Sequence, residues 1–119
     1  MTIEECYNKM HADYADAQKR MMKDSLIERF MLRFPQDQTM QQLRDATADG
    51  DQHSAFRAAH TLKGVAGNLS LAQLAQSASA LTEQLRDGTQ MPDKDLLAAV
   101  EDDYALVVNT ISQYQAEQA

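Results

Sequence analysis

Apolar residues recur every three or four positions along nearly the whole chain, the spacing that lines one face of an α-helix. Ile3, Cys6, Tyr7, Met10, Tyr14, Ala17 and Met21 keep that spacing and predict one helix over about 2–22. A second helix is expected from near Asp24, with Ser25 and Glu28 placed as a capping box. Its apolar side is Leu26, Ile27, Phe30, Met31 and Phe34, and Pro35 stops it. A third begins near Thr39, where Thr39 and Gln42 repeat the capping signature. It turns Met40, Leu43 and Ala46 inward and ends at Gly50.

The fourth helix is predicted over about 52–69 behind an Asp51 N-cap, with Phe56, Ala59, Leu62, Val65, Ala66 and Leu69 as its apolar side. Ser70 and Gln73 offer another capping box, so a tight turn leads into a fifth helix over about 71–87. Leu71, Leu74, Ala78, Leu81 and Leu85 line it, and Gly88 closes it. Pro92 suits the first position of a sixth helix, which reaches about Gln115 and carries a stripe of Leu96, Val100, Tyr104, Val107, Ile111 and Tyr114. Ala116 to Ala119 are expected to fray. No alternating strand pattern competes. Stripes of this kind pack into antiparallel bundles. The expected fold is all-α: an up-and-down four-helix bundle made by the third to sixth segments, with one or two additional N-terminal helices. The expected organisation is a single domain over 1–119 with a core bundle at about 39–115.

Charge narrows the range of partners. A net charge of −7 disfavours nucleic acid and anionic membranes, which are bound by clustered Lys and Arg. The small basic group Lys19, Arg20 and Lys23 reads as a solvated helix face. The single cysteine, Cys6, has no internal disulfide partner and lies on an apolar face, so it reads as buried and inert. The acidic N-terminus has no apolar signal region, and no apolar run approaches 18 residues. A cytoplasmic location follows as an expectation. The methionines fall mostly at inward positions and read as core.

The chemistry concentrates in one stretch, Ala58-Ala59-His60-Thr61-Leu62-Lys63-Gly64-Val65-Ala66-Gly67. Each glycine inside a helix costs roughly 1 kcal/mol relative to alanine, so two of them call for a reason. Residues at i, i+3, i+4 and i+7 share a face, which puts His60, Lys63, Gly64 and Gly67 along one stripe. Helical side chains lean toward the N-terminus, so a side chain at position 64 would lean over His60. Glycine there leaves the imidazole bare and lets another protein surface approach. Lys63 places a positive charge where an anion on the imidazole would sit. The stripe is opposite the apolar side and also carries His53 and Arg57, so His60 is expected to face outward and the whole stripe to form a docking face.

The string A-H-T-L-K-G-V-A-G-N-L-S, from Ala59 to Ser70, resembles the signature around the phosphorylated histidine of the histidine phosphotransfer (HPt) domain family. The resemblance implies a bacterial two-component phosphorelay intermediate. Such a protein accepts a phosphoryl group from a receiver-domain aspartate onto His60, at Nε2, and passes it to another receiver-domain aspartate. Its partners would be the receiver domains of hybrid histidine kinases and response regulators. Ser70 stands where that family commonly has glycine, and a serine N-cap accounts for it.

A neutral imidazole offers a free lone pair for attack on an aspartyl phosphate, and Lys63 can stabilise the transferred group. The stripe has no acidic triad to hold Mg²⁺, so the ion and the acceptor aspartate are expected from the partner receiver domain. No phosphate-binding glycine loop of the nucleotide-binding kind occurs, so the chain reads as a phosphocarrier with no ATP site of its own, not an enzyme. On the following helix Ser79, Thr82 and Glu83 are expected to border the imidazole and Arg86 to reach the phosphoryl region. A monomer is expected, since one chain completes the bundle. A different class of function stays open: a helical adaptor or inhibitor that binds a signalling protein without carrying phosphate.

Overall fold

The computed structural model describes residues 1–118, and all of their regular structure is helical. Three short helices come first: α1 (Ile3–Lys9), α2 (Tyr14–Met21) and α3 (Asp24–Arg33), the last followed by a 3₁₀ turn at Phe34–Gln36 that contains Pro35. Four longer ones follow: α4 (Thr39–Asp49), α5 (Gln52–Asn68), α6 (Ala72–Leu85) and α7 (Lys94–Gln118). The last four form the up-and-down bundle. α5 packs between α4 and α6, and α6 packs on α7. α4 and α7 meet through side chains: Arg44 holds Glu101 at 2.7 Å and lies over the Tyr104 ring at 5.3 Å.

The core follows the predicted stripes closely. Leu43, Ala59, Leu62, Ala66, Leu74, Ala78, Leu81, Leu85, Val107 and Ile111 are all buried. Leu81 has no exposed surface, so Leu81→Ala removes buried methyl groups and opens a cavity. The expected loss is about 2–5 kcal/mol of stability, read from urea melts.

Several local expectations are corrected. The single helix expected over about 2–22 is two helices, because His11 adopts a left-handed backbone (φ 53°). Asp13 then starts α2 afresh, its carboxylate accepting the Asp16 N–H at 2.9 Å. The capping box lies not at Ser25, Thr39 or Ser70 but at Thr2 and Glu5, which exchange hydrogen bonds of 3.0 Å in both directions. Lys23 precedes α3 without a side-chain cap, and Asp37 accepts the Thr39 N–H at 2.8 Å. Asp93, not Pro92, opens α7, accepting the N–H groups of Asp95 and Leu96. Fraying from Ala116 does not occur within the described residues: α7 stays helical to Gln118, and Ala119 lies outside them.

The N-terminal helices brace the α5–α6 turn. The Tyr7 hydroxyl donates to the Leu69 carbonyl at 2.8 Å, and the Asp13 N–H donates to the Ser70 carbonyl at 2.8 Å. Ser70 takes a left-handed backbone (φ 58°), a conformation that glycine adopts without cost. Its hydroxyl donates to Asp16 at 2.7 Å, so a side-chain bond offsets the strained backbone. α7 would be about 37 Å long at 1.5 Å per residue. It runs past the bundle to pack on α1 and α3, where the Tyr114 hydroxyl meets Glu28.

Candidate functional site

Asp51 starts α5, accepting the Ser54 N–H at 3.1 Å, and Gln52 donates to the Leu85 carbonyl at 2.8 Å. The first bond fixes where the helix begins, and the second ties it to the end of α6. Ala55, Ala59, Leu62 and Ala66 then point into the core. That rotation leaves His53, Arg57, His60 and Gly64 exposed, with Lys63 and Gly67 half-buried. Each sequence-predicted residue of the stripe therefore lies on the face expected for it.

The glycines have no intramolecular explanation. A Cβ built at Gly64 or at Gly67 meets nothing within 4 Å, so neither residue is there to let two helices approach. The space beside His60 is open to an incoming surface.

Two neighbours complete the site. The Phe56 ring lies nearly parallel to the imidazole, 11° off and 6.1 Å between centroids. The Arg86 guanidinium sits over the same ring at 5.6 Å. Phe56 was expected to point inward; it is half-buried, at the edge of the apolar stripe, and packs against the core from there. Glu83 lies in the last turn of α6 and Arg86 caps its C-terminus, and helical side chains here lean back toward the level of His60. Arg86 donates two hydrogen bonds of 2.9 Å to Glu83. The Glu83 carboxyl is held below its usual range, first by the Arg86 hydrogen bond and further by the charges of Arg86, Lys63 and His60. Thr82 is wholly buried, with its hydroxyl donating to the Ala78 carbonyl at 2.7 Å. Ser79 is half-buried.

Beyond Gly67 the surface turns apolar. Phe30 of α3 is 41% exposed, although its spacing placed it on the inner side. With Arg33, Phe34, Asp37, Val65, Asn68 and Leu69 it lines a shallow groove against the last turn of α5. The Arg33 guanidinium covers part of its ring at 5.7 Å. A second groove joins Arg20 and Met21 to Phe30, Asn68 and Leu69, so Arg20, paired with Asp16, borders this patch. Cys6 is buried, its thiol pushed up to about 11 by desolvation, in keeping with an inert core residue. Among the described residues no group of three or more His, Cys, Asp or Glu is placed to hold a metal ion.

The family model of the Hpt domain matches residues 26–110, well over half of the chain. The chain belongs to the Hpt domain family. Hpt domains are phosphocarriers that work by histidine phosphotransfer in phosphorelay signalling, between kinase and receiver proteins. The match covers all of α4, α5 and α6, the elements that build the His60 site, and it leaves α1 and α2 outside. No curated protein and no solved structure gives a significant match to the chain. No helix among the described residues is long and apolar enough to cross a membrane.

Proposed function

We propose that this Hpt protein takes a phosphoryl group from a receiver-domain aspartate onto His60 and hands it to the aspartate of a second receiver domain. The observation that carries this reading is the exposed imidazole of α5 with Lys63 one turn on and open space over Gly64 and Gly67. In the transfer an imidazole nitrogen, Nε2 by family resemblance, attacks phosphorus. A nitrogen–phosphorus bond forms, the bond from phosphorus to the aspartyl oxygen breaks, and aspartate leaves as a carboxylate. The imidazole proton on the other nitrogen is then free to depart. Lys63 supplies positive charge beside the phosphoryl oxygens, and Mg²⁺ comes with the partner. The chain acts as a cytoplasmic monomer with no ATP site of its own.

The receiver would dock on His53, Arg57, Gly64 and Gly67, with the Phe30 groove as an apolar extension. An apolar anchor beside exposed cations such as Arg57 and Arg33 suits a partner face built around an aspartate. Phe30→Glu is therefore expected to weaken docking on the order of tenfold while the fold melts as before, since Phe30 is outside the core. Transfer rates measured against receiver concentration check this: the half-saturating concentration rises and the plateau rate is kept.

The reading itself is tested by mixing the protein with receiver domains already charged on aspartate in the presence of Mg²⁺. Label moving onto this chain, and from it onto a second receiver, supports the relay. Receivers that bind the chain equally well with or without His60, and never pass label, would favour the phosphate-independent adaptor.

A further inference from the structure

Arg86 stands at the edge of the His60 site with its charge engaged elsewhere. Its Nε and one terminal nitrogen both donate to the Glu83 carboxylate, a two-pronged pair one helical turn apart. Both side chains are more than half exposed, and an exposed pair of this kind is weak. The guanidinium rests on Phe56, whose ring also faces the imidazole. An aromatic face attracts a cation, so Phe56 holds the guanidinium beside the ring that the imidazole faces.

We propose that Glu83 and Arg86 form an exchangeable pair that sets how long the phosphoryl group stays on His60. Arg86 leaves Glu83 for the phosphoryl oxygens once His60 is charged, and the freed Glu83 carboxylate then shortens the life of the phosphohistidine. The proposal rests on His60 being the phosphoryl acceptor. A phosphoryl group presents close to two negative charges and three acceptor oxygens. The planar fork of arginine matches that geometry better than a single lysine ammonium does. Glu83, already close enough to feel His60 and Lys63, becomes a like charge beside the new anion. It also competes for both Lys63 and Arg86. Glu83 is thus a positioning residue that favours handing the phosphoryl group on over storing it. Loss to water follows the same trend. A water oxygen bonds to phosphorus, the nitrogen–phosphorus bond breaks, the imidazole takes a proton, and inorganic phosphate leaves.

The test charges the whole protein with phosphoramidate, removes the donor, and follows the ³¹P signal of the phosphohistidine. Half-lives are expected to lengthen about threefold in Glu83→Gln and to shorten about threefold in Arg86→Gln, the scale of an exposed pair, with Arg86→Lys partly restoring the loss. In the wild type the Arg86 Nε–H resonance should shift on charging, a change that a merely structural role would not produce. Half-lives that match the wild type in both variants, or an Arg86 resonance that does not move, would overturn the proposal. A ³¹P signal that is equally strong in His60→Gln would instead overturn the assignment of His60 on which it rests.

Discussion

Replacing His60 with glutamine is expected to abolish phosphoryl acceptance while leaving the bundle as stable as before. The imidazole is exposed on α5 and contributes nothing to the buried core. Glutamine is at least as good a helix former as histidine, and surface exchanges of this kind stay within about 0.5 kcal/mol. The amide nitrogen that glutamine provides has its lone pair delocalised and cannot attack an acyl phosphate. Lys63, Arg57 and the open face over Gly64 all remain, so docking is kept and chemistry is lost. Thermal melts and receiver-dependent labelling, run on the same preparation, separate the two effects. A variant that melts early would point to a structural role for His60, and one that still accepts label would point to another acceptor.

Gly64→Gln should move stability and function in opposite directions. Stability rises, because a glycine inside a helix costs roughly 0.5–1 kcal/mol relative to a residue with a side chain. Nothing offsets that gain, since a Cβ at this position meets no atom within 4 Å and Gly64 lies in ordinary helical backbone. Transfer falls, because the new side chain leans back toward His60 and fills the space a receiver needs. The expected loss is on the order of a hundredfold in transfer rate, the scale that misplacing reacting groups by an ångström or so can reach. Denaturant melts and transfer rates from a charged receiver check both signs. Wild-type transfer from the stabilised variant would contradict the clearance argument.

The opposed signs also explain why the site was so legible in the sequence. Two residues that weaken their own helix stand out against a regular apolar stripe, and the stripe itself fixes which way the helix is turned. Leu43, Leu62, Leu81 and Ile111 could be placed in the core for the same reason: each has neighbours three or four positions away on the same side. The break at His11 was hidden because the apolar spacing continues across it. Both short helices cover the same core, so Met10 and Ala17 are buried on either side of the kink. The signal that could have marked it is Asp13 with Asp16 three residues on, the start of a new helix.

Capping was misread for a different reason. A serine or threonine with Glu or Gln three residues later caps a helix only where its own backbone is extended, as at Thr2. Ser70 is left-handed, and Thr39 is already inside α4. Phe56 and Phe30 were assigned to the interior because spacing records which side of a helix a residue is on, not how far the neighbouring helix covers that side. Each sits at the edge of its stripe, where polar side chains rather than a neighbouring helix meet the ring: His60 and Arg86 at Phe56, Arg33 at Phe30. The reach of Glu83 and Arg86 toward His60 depends on how α6 is rotated against α5, which the hydrogen bond from Gln52 to Leu85 helps to set.

Mapping the phosphoryl group to its residue is the most direct test of the central claim. The protein would be charged by a phosphorylated receiver, digested under basic conditions, and its tryptic peptides examined by mass spectrometry. The account predicts a phosphoryl group, stable to base and lost in acid, on the peptide of residues 58–63, which carries His60 between Arg57 and Lys63. Phosphate on any other peptide, or an unmodified chain after exposure to receivers that are folded and charged, would contradict it.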